Sequence, residues 1–144
     1  MRRPGTRDAW VALKLYELRQ VGVLAEAREM LGELVSQSFD EIRALLDYAH
    51  PKHPCLRQAV DYWEMAASFV LRGVFHPDIY LDSCDEALFT YAVFEEHLPR
   101  IREMRPSFFA KTEVVIQEHP SVKGRLMEVR ARIFRAREER SEED

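Results

Sequence analysis

Apolar residues recur along this chain at steps of three and four, the spacing that lines one face of an α-helix. Nowhere do they alternate with polar residues for long enough to predict a strand. The widest face runs through Leu56, Val60, Trp63, Ala67, Val70 and Val74 and predicts a central helix from Pro54 to about Arg72. A second stripe passes through Leu88, Tyr91, Phe94, Leu98 and Ile101, and a third through Val122, Leu126, Val129, Ile133 and Ala136. Trp10, Leu13, Leu15 and Leu18 mark a first helix ended by Gly22, and Leu24, Ala27, Met30, Leu31 and Leu34 mark another. Shorter groups at Phe39, Ile42, Leu45 and Leu46, and at Phe108, Phe109, Val115 and Ile116, complete the set.

The boundaries carry their own signals. Ser38 with Glu41 and Ser83 with Glu86 have the capping-box spacing, in which a hydroxyl and a carboxylate satisfy each other's backbone N–H groups at a helix start. Pro54, Pro77, Pro106 and Pro120 suit first helical positions, because the N–H that proline lacks would have no partner there. Pro99 either kinks a helix or begins one. Gly73 suits a left-handed stop, with Val74 turning back towards Phe69. These signals predict an all-α fold, a single irregular bundle of about six to eight helices over residues 7–138, with no internal repeat. Residues 1–6 and the acidic residues 139–144 are expected to be disordered.

Composition narrows the functional classes. A chain of 144 residues, 47% of them hydrophobic, can bury a core without metals or disulfides, and its net charge of -4 gives no general attraction to nucleic acid. The arginines of KGRLMEVRARIFRAREER interleave with glutamates and read as a solvated face laced with ion pairs, so no nucleic-acid partner is expected. Two cysteines, Cys55 and Cys84, form no disulfide framework and fit a cytoplasmic setting. Arg2 and Arg3 open the chain as an export signal would, but Asp8, Lys14 and Glu17 interrupt the apolar run that such a signal needs. The longest apolar run, MAASFVL, is far below the roughly 20 residues a transmembrane helix needs.

The stretch HPKHPC places His50, His53 and Cys55 close together, as a metal site would. Yet both histidines precede proline, and the same dipeptide returns at His76-Pro77 and His119-Pro120, so helix punctuation is the simpler reading. Further donors, Cys84, His76, His97 and His119, would have to be gathered by the fold. In DIYLDSCDE, Asp78, Asp82, Asp85 and Glu86 could form an acid–base pair or hold a cation, but they also suit the first turns of helices. Cys84 with His97 is a weak nucleophile–base candidate, and nothing makes a coherent catalytic set or calls for a cofactor.

The order of residues in YWEMAASFVLRGVFHPDIYLDSCDEALFTYAVF, followed by LPRIREMRPSF, resembles an uncharacterised bacterial family of small all-helical domains, over residues 10 to 135. The resemblance implies a helix ending in a small-residue turn, then a short helix, then a longer aromatic one. Some relatives look as if they carry a membrane helix ahead of this domain. It implies no activity and no site.

The expectation is therefore a cytoplasmic bacterial domain that acts through protein contacts, either as a homodimer or with another chain, and that is an enzyme only if folding gathers residues distant in sequence. Its interaction surface is expected among aromatics such as Phe75, Tyr80 and Phe89. The alternative is a small-ligand- or metal-binding bundle built on His50, His53 and Cys55, or on the carboxylates after Pro77.

Overall fold

In the computed structural model, which describes residues 2–35, 37–83 and 85–143, the described residues form nine α-helices and one 3₁₀ turn, with no strand. The helices are α1 (Thr6–Leu18), α2 (Gly22–Leu34), α3 (Phe39–Leu45), α4 (His53–Leu71), α5 (Pro77–Ser83), α6 (Asp85–Glu95), α7 (Leu98–Met104), α8 (Ala110–Glu118) and α9 (Lys123–Glu143). The all-α bundle is as expected. The helix count exceeds the expected six to eight because the stripe from Leu88 to Ile101 is divided between two helices.

Pro99 shows how. The stripe from Leu88 to Ile101 continues across a break at Glu96 and His97, where His97 N–H turns back to the Phe94 carbonyl at 2.9 Å and α7 begins with Pro99 in its first turn. Proline there begins a helix, because its missing donor falls among N–H groups that have no helical partner anyway. Pro54 and Pro77 likewise lie in the first turns of α4 and α5. Pro120 opens the 3₁₀ turn Pro120–Val122 that leads into α9.

At the centre lies α4, which packs chiefly on α2 and α8 and buries Leu56, Ala59, Val60, Tyr62, Trp63, Ala66, Ala67 and Val70. It stops at Gly73, whose φ of +73° only glycine adopts without strain, and Val74 N–H then reaches the Phe69 carbonyl at 2.9 Å. The Ser38 box forms as predicted: Glu41 N–H donates to Ser38 Oγ at 3.3 Å and Ser38 N–H donates to Glu41 Oε2 at 3.0 Å. At the second box, α6 begins at Asp85 and the Ser83 hydroxyl donates to the Ile79 carbonyl at 2.5 Å. The junction at Cys84 lies outside the described residues.

Pro106 does not begin a helix. It enters a turn in which Phe108 N–H donates to the Arg105 carbonyl at 3.0 Å, and α8 starts only after Phe109, at φ +56°. A left-handed phenylalanine costs about 1–2 kcal/mol. That strain is held because the Phe109 ring is fully buried, with ring centres 6.0 Å from Phe94 and 6.4 Å from Tyr91.

Glu64 of α4 then caps α8 from outside. Its carboxylate accepts from Lys111 N–H at 3.0 Å, Thr112 N–H at 2.9 Å and the Thr112 hydroxyl at 2.8 Å, satisfying donors that α8 itself leaves open.

The arginine-rich helix α9 is laced with ion pairs, but across the bundle instead of along its own face. Arg125 meets Asp85 at 2.8 Å, Arg130 grips Glu95 at 2.7 and 2.5 Å, and Arg137 meets Glu96 at 2.9 Å. Its buried side is Leu126, Val129 and Ile133, against α6.

Replacing Glu64 by alanine should lower stability by about 1–2 kcal/mol, the usual effect of losing a helix cap. The loss should appear as a lower urea midpoint with an unchanged m-value, together with faster hydrogen exchange at the start of α8.

Candidate interaction surface

The metal candidates do not converge. His53 is buried at the start of α4, with Nδ1 2.8 Å from the Leu45 carbonyl and its ring edge-on to Tyr48 at 4.8 Å. His50 is half-buried and its Nδ1 accepts from Lys52 N–H at 3.0 Å, so each histidine fastens its own side of the α3–α4 joint. Cys55 faces α2, with Sγ 3.7 Å from Glu26 Oε2, and burial followed by the nearby Glu26 charge pushes its thiol up, away from the reactive thiolate. The other candidates are dispersed: His119 Nδ1 lies 2.7 Å from the Val115 carbonyl, and His97 sits between Phe39 and Glu96. Among the described residues no three His, Cys, Asp or Glu side chains are grouped to hold a metal ion. The proposed Cys84 nucleophile lies outside those residues.

Nor do the aromatic candidates form one exposed surface. Phe75 and Tyr80 are buried against each other, edge to face at 6.1 Å, where the α4–α5 turn folds onto the core. Phe89 is half-buried and borders an open cleft of about 510 Å³ between α2 and α6. Two of the charges lining that cleft pair with each other, and Arg19 near it is covered by rings. Arg28 meets Glu86 at 2.6 Å, and Arg19 lies over the rings of Tyr16 and Trp63, at 5.0 and 5.8 Å from their centres.

A group of exposed large apolar side chains lies on α1 instead. Of the apolar residues that mark this helix, Leu15 is buried, yet Trp10 is 68% exposed and Leu13 56%, and Tyr16 beside them is 55% exposed. The face turned inward carries Asp8 and Leu15, with Val11 and Ala12 packed beside them. At 100° per residue these positions lie opposite Trp10 and Leu13 on the helix, so only one set can be buried.

Asp8 decides which. Its carboxylate is 1% exposed and accepts two bonds from the Arg2 guanidinium, both 2.7 Å, one from Gly5 N–H at 2.8 Å and one from His76 N–H at 2.8 Å. The His76 ring completes the circuit: Nε2–H donates to the Arg2 carbonyl at 2.7 Å, while Nδ1 accepts from Asp78 N–H at 3.1 Å. Arg2 first, then the Gly5 and His76 N–H groups, hold the Asp8 carboxyl well below the usual carboxylate range, overcoming the opposite effect of burial. Farther along, the Tyr62 hydroxyl donates to the Leu15 carbonyl and fixes the same face onto α4.

Sequence reasoning passes over Asp8 and Arg2. The legible signal is Gly5 three residues before Asp8, the spacing of a carboxylate that reaches back to its own helix start. The partners supplied by His76 are 68 residues away and leave no local trace.

The family described as domain of unknown function (DUF4760) matches the chain over residues 5–118. None of the curated proteins and none of the solved structures matches it.

Asp8→Asn should lower the melting temperature by several degrees at pH 7 and speed hydrogen exchange across α1. Because the folded carboxyl has the lower pKa, its contribution is complete above the unfolded value of about 4 and is lost as pH falls below it. Thermal melts between neutral and strongly acid pH should therefore decline less steeply below about pH 4 in Asp8→Asn than in the wild type.

Proposed function

The chain belongs to that family of unknown function, and from this premise we propose that it is a cytoplasmic bacterial helical domain acting through protein contacts made by the outer face of α1. The observation that carries the proposal is the exposure of Trp10, Leu13 and Tyr16 together on one helix, when the fold has a buried alternative in the same helix and fills it with Asp8. Tryptophan and tyrosine are the residues most enriched at the anchoring points of protein interfaces, because a rigid ring buries much area at small entropic cost. Leu18, Val21 and Val23 extend exposed apolar surface through the turn into α2.

This reading moves the expected surface from Phe75 and Tyr80, which serve the core, to the first helix. No helix among the described residues is long and apolar enough to cross a membrane. Burial and the neighbouring Glu26 carboxylate push the Cys55 thiol up, which makes it a poor nucleophile.

A photo-crosslinking amino acid placed at Leu13 or Tyr16, in cells that make the protein naturally, should give discrete protein adducts. The same probe at Met127, exposed on α9, should not. Adducts absent at both α1 positions, or identical from α9, would contradict the assignment.

A further inference from the structure

The bundle gives α1 little apolar hold. Its one buried apolar side chain is Leu15, with Val11 and Ala12 partly buried beside it, whereas α2 buries Ala27, Met30, Leu31 and Leu34, and α4 buries eight apolar residues. Trp10, Leu13 and Tyr16 are in water whether α1 is docked or not, so their apolar area does nothing to hold it.

Its polar fastening is mostly internal. Of the four bonds at Asp8, two come from Arg2 and one from Gly5 N–H, all within residues 2–8, and the His76 N–H supplies the fourth from outside. The carboxylate therefore keeps three donors if α1 moves away, and no unpaired charge stays behind in the core. The bundle's own ties to α1 come from His76, which donates its N–H to Asp8 and its Nε2–H to the Arg2 carbonyl, and from the Tyr62 hydroxyl, which donates to the Leu15 carbonyl. Arg2 adds a long contact to the Val74 carbonyl at 3.5 Å. Water can satisfy each of these groups once it is exposed.

We infer that residues 2–18 are a detachable clasp, which lifts from α4 and α5 as one unit while the other helices stay packed. The inference is independent of what the outer face of α1 meets. The pivot is the turn after Leu18, which Arg19 pins to the bundle by lying over the Trp63 ring and which ends at Gly22, at φ +60°. When the clasp leaves, α5 keeps anchors of its own: Tyr80 packs edge-on against Phe75, and Arg125 of α9 donates to the Leu81 carbonyl. Opening removes the Arg2 wall of a cleft of about 330 Å³, lined also by Val70, Leu71, Phe75, His76 and His119. The clasp thus controls how wide that cleft stands.

Native-state hydrogen exchange of the full chain, followed in increasing urea below the unfolding transition, tests this. The amides of residues 10–18 should share one opening, about tenfold or more less protected than the slowest amides of α4. That opening should depend on urea, but less steeply than global unfolding, because it exposes less surface. Two variants then separate the clasp from the bundle. Leu15→Ala should speed α1 and the slowest α4 amides by the same factor, because both openings lose its contacts. Ile133→Val, on the buried side of α9 and conservative enough to fold, should speed the α4 amides several-fold and leave α1 unchanged. Protection of α1 equal to that of α4, or an α1 that responds to Ile133→Val as α4 does, would mean that the helix opens only when the whole domain unfolds, and overturns the inference. Unrelated α1 rates without urea dependence overturn it as well, since they would show fraying residue by residue.

Discussion

The arrangement of this domain's surface depends on one buried carboxylate. Asp8 lies inside the fold with four hydrogen bonds, from Arg2, Gly5 and His76, and an ion desolvated without such partners would cost far more than α1 could recover by packing. Once satisfied, it is hard to replace. Turning α1 over to bury Trp10 and Leu13 would place Asp8 in water but leave His76 N–H without its acceptor. It would also remove Leu15 from beneath Tyr62. Exposed aromatics on α1 are thus a consequence of polar satisfaction on its other side.

Long-range polar fastening recurs throughout the bundle. Glu64 caps α8 from α4, and the arginines of α9 reach Asp85, Glu95 and Glu96. Arg102 and the Tyr91 hydroxyl converge on Glu113, at 3.0 and 2.9 Å. Burial, followed by the Glu113 contact, pushes the Tyr91 phenol up, so it remains a neutral donor there. Surface pairs of this kind contribute little each, but they set which helix faces meet. The aromatic cluster of Phe94, Phe108 and Phe109 supplies the apolar counterpart, stiff enough to hold a left-handed residue at the start of α8.

The helices are legible in the sequence because each is written in local spacing. The stripe of α4, the Ser38–Glu41 box and the Gly73 stop can all be read from neighbours within a few residues. Orientation is less legible. The apolar residues of α1 predict a helix correctly but do not define its buried side: Leu15 is buried and Trp10 and Leu13 are exposed, because periodicity counts hydrophobic side chains and cannot foresee that a carboxylate will find four donors. Pro106 misleads for a related reason: a turn that buries Phe109 and packs Phe108 edge-on against it outweighs proline's preference for a helix start. His50, His53 and Cys55 are adjacent in sequence yet point to Lys52, Leu45 and Glu26. Proximity along a chain does not fix direction in space.

The central claim is that Asp8 holds α1 with its aromatic face outward, and tryptophan fluorescence reads this directly. Trp10 is exposed and Trp63 is 3% exposed, so the variants Trp63→Phe and Trp10→Phe isolate one ring each. At a concentration low enough to keep the chain monomeric, Trp10 should emit to the red and be readily quenched by acrylamide, while Trp63 emits to the blue and is protected. A blue-shifted, protected Trp10 in that monomer would mean the helix lies the other way round.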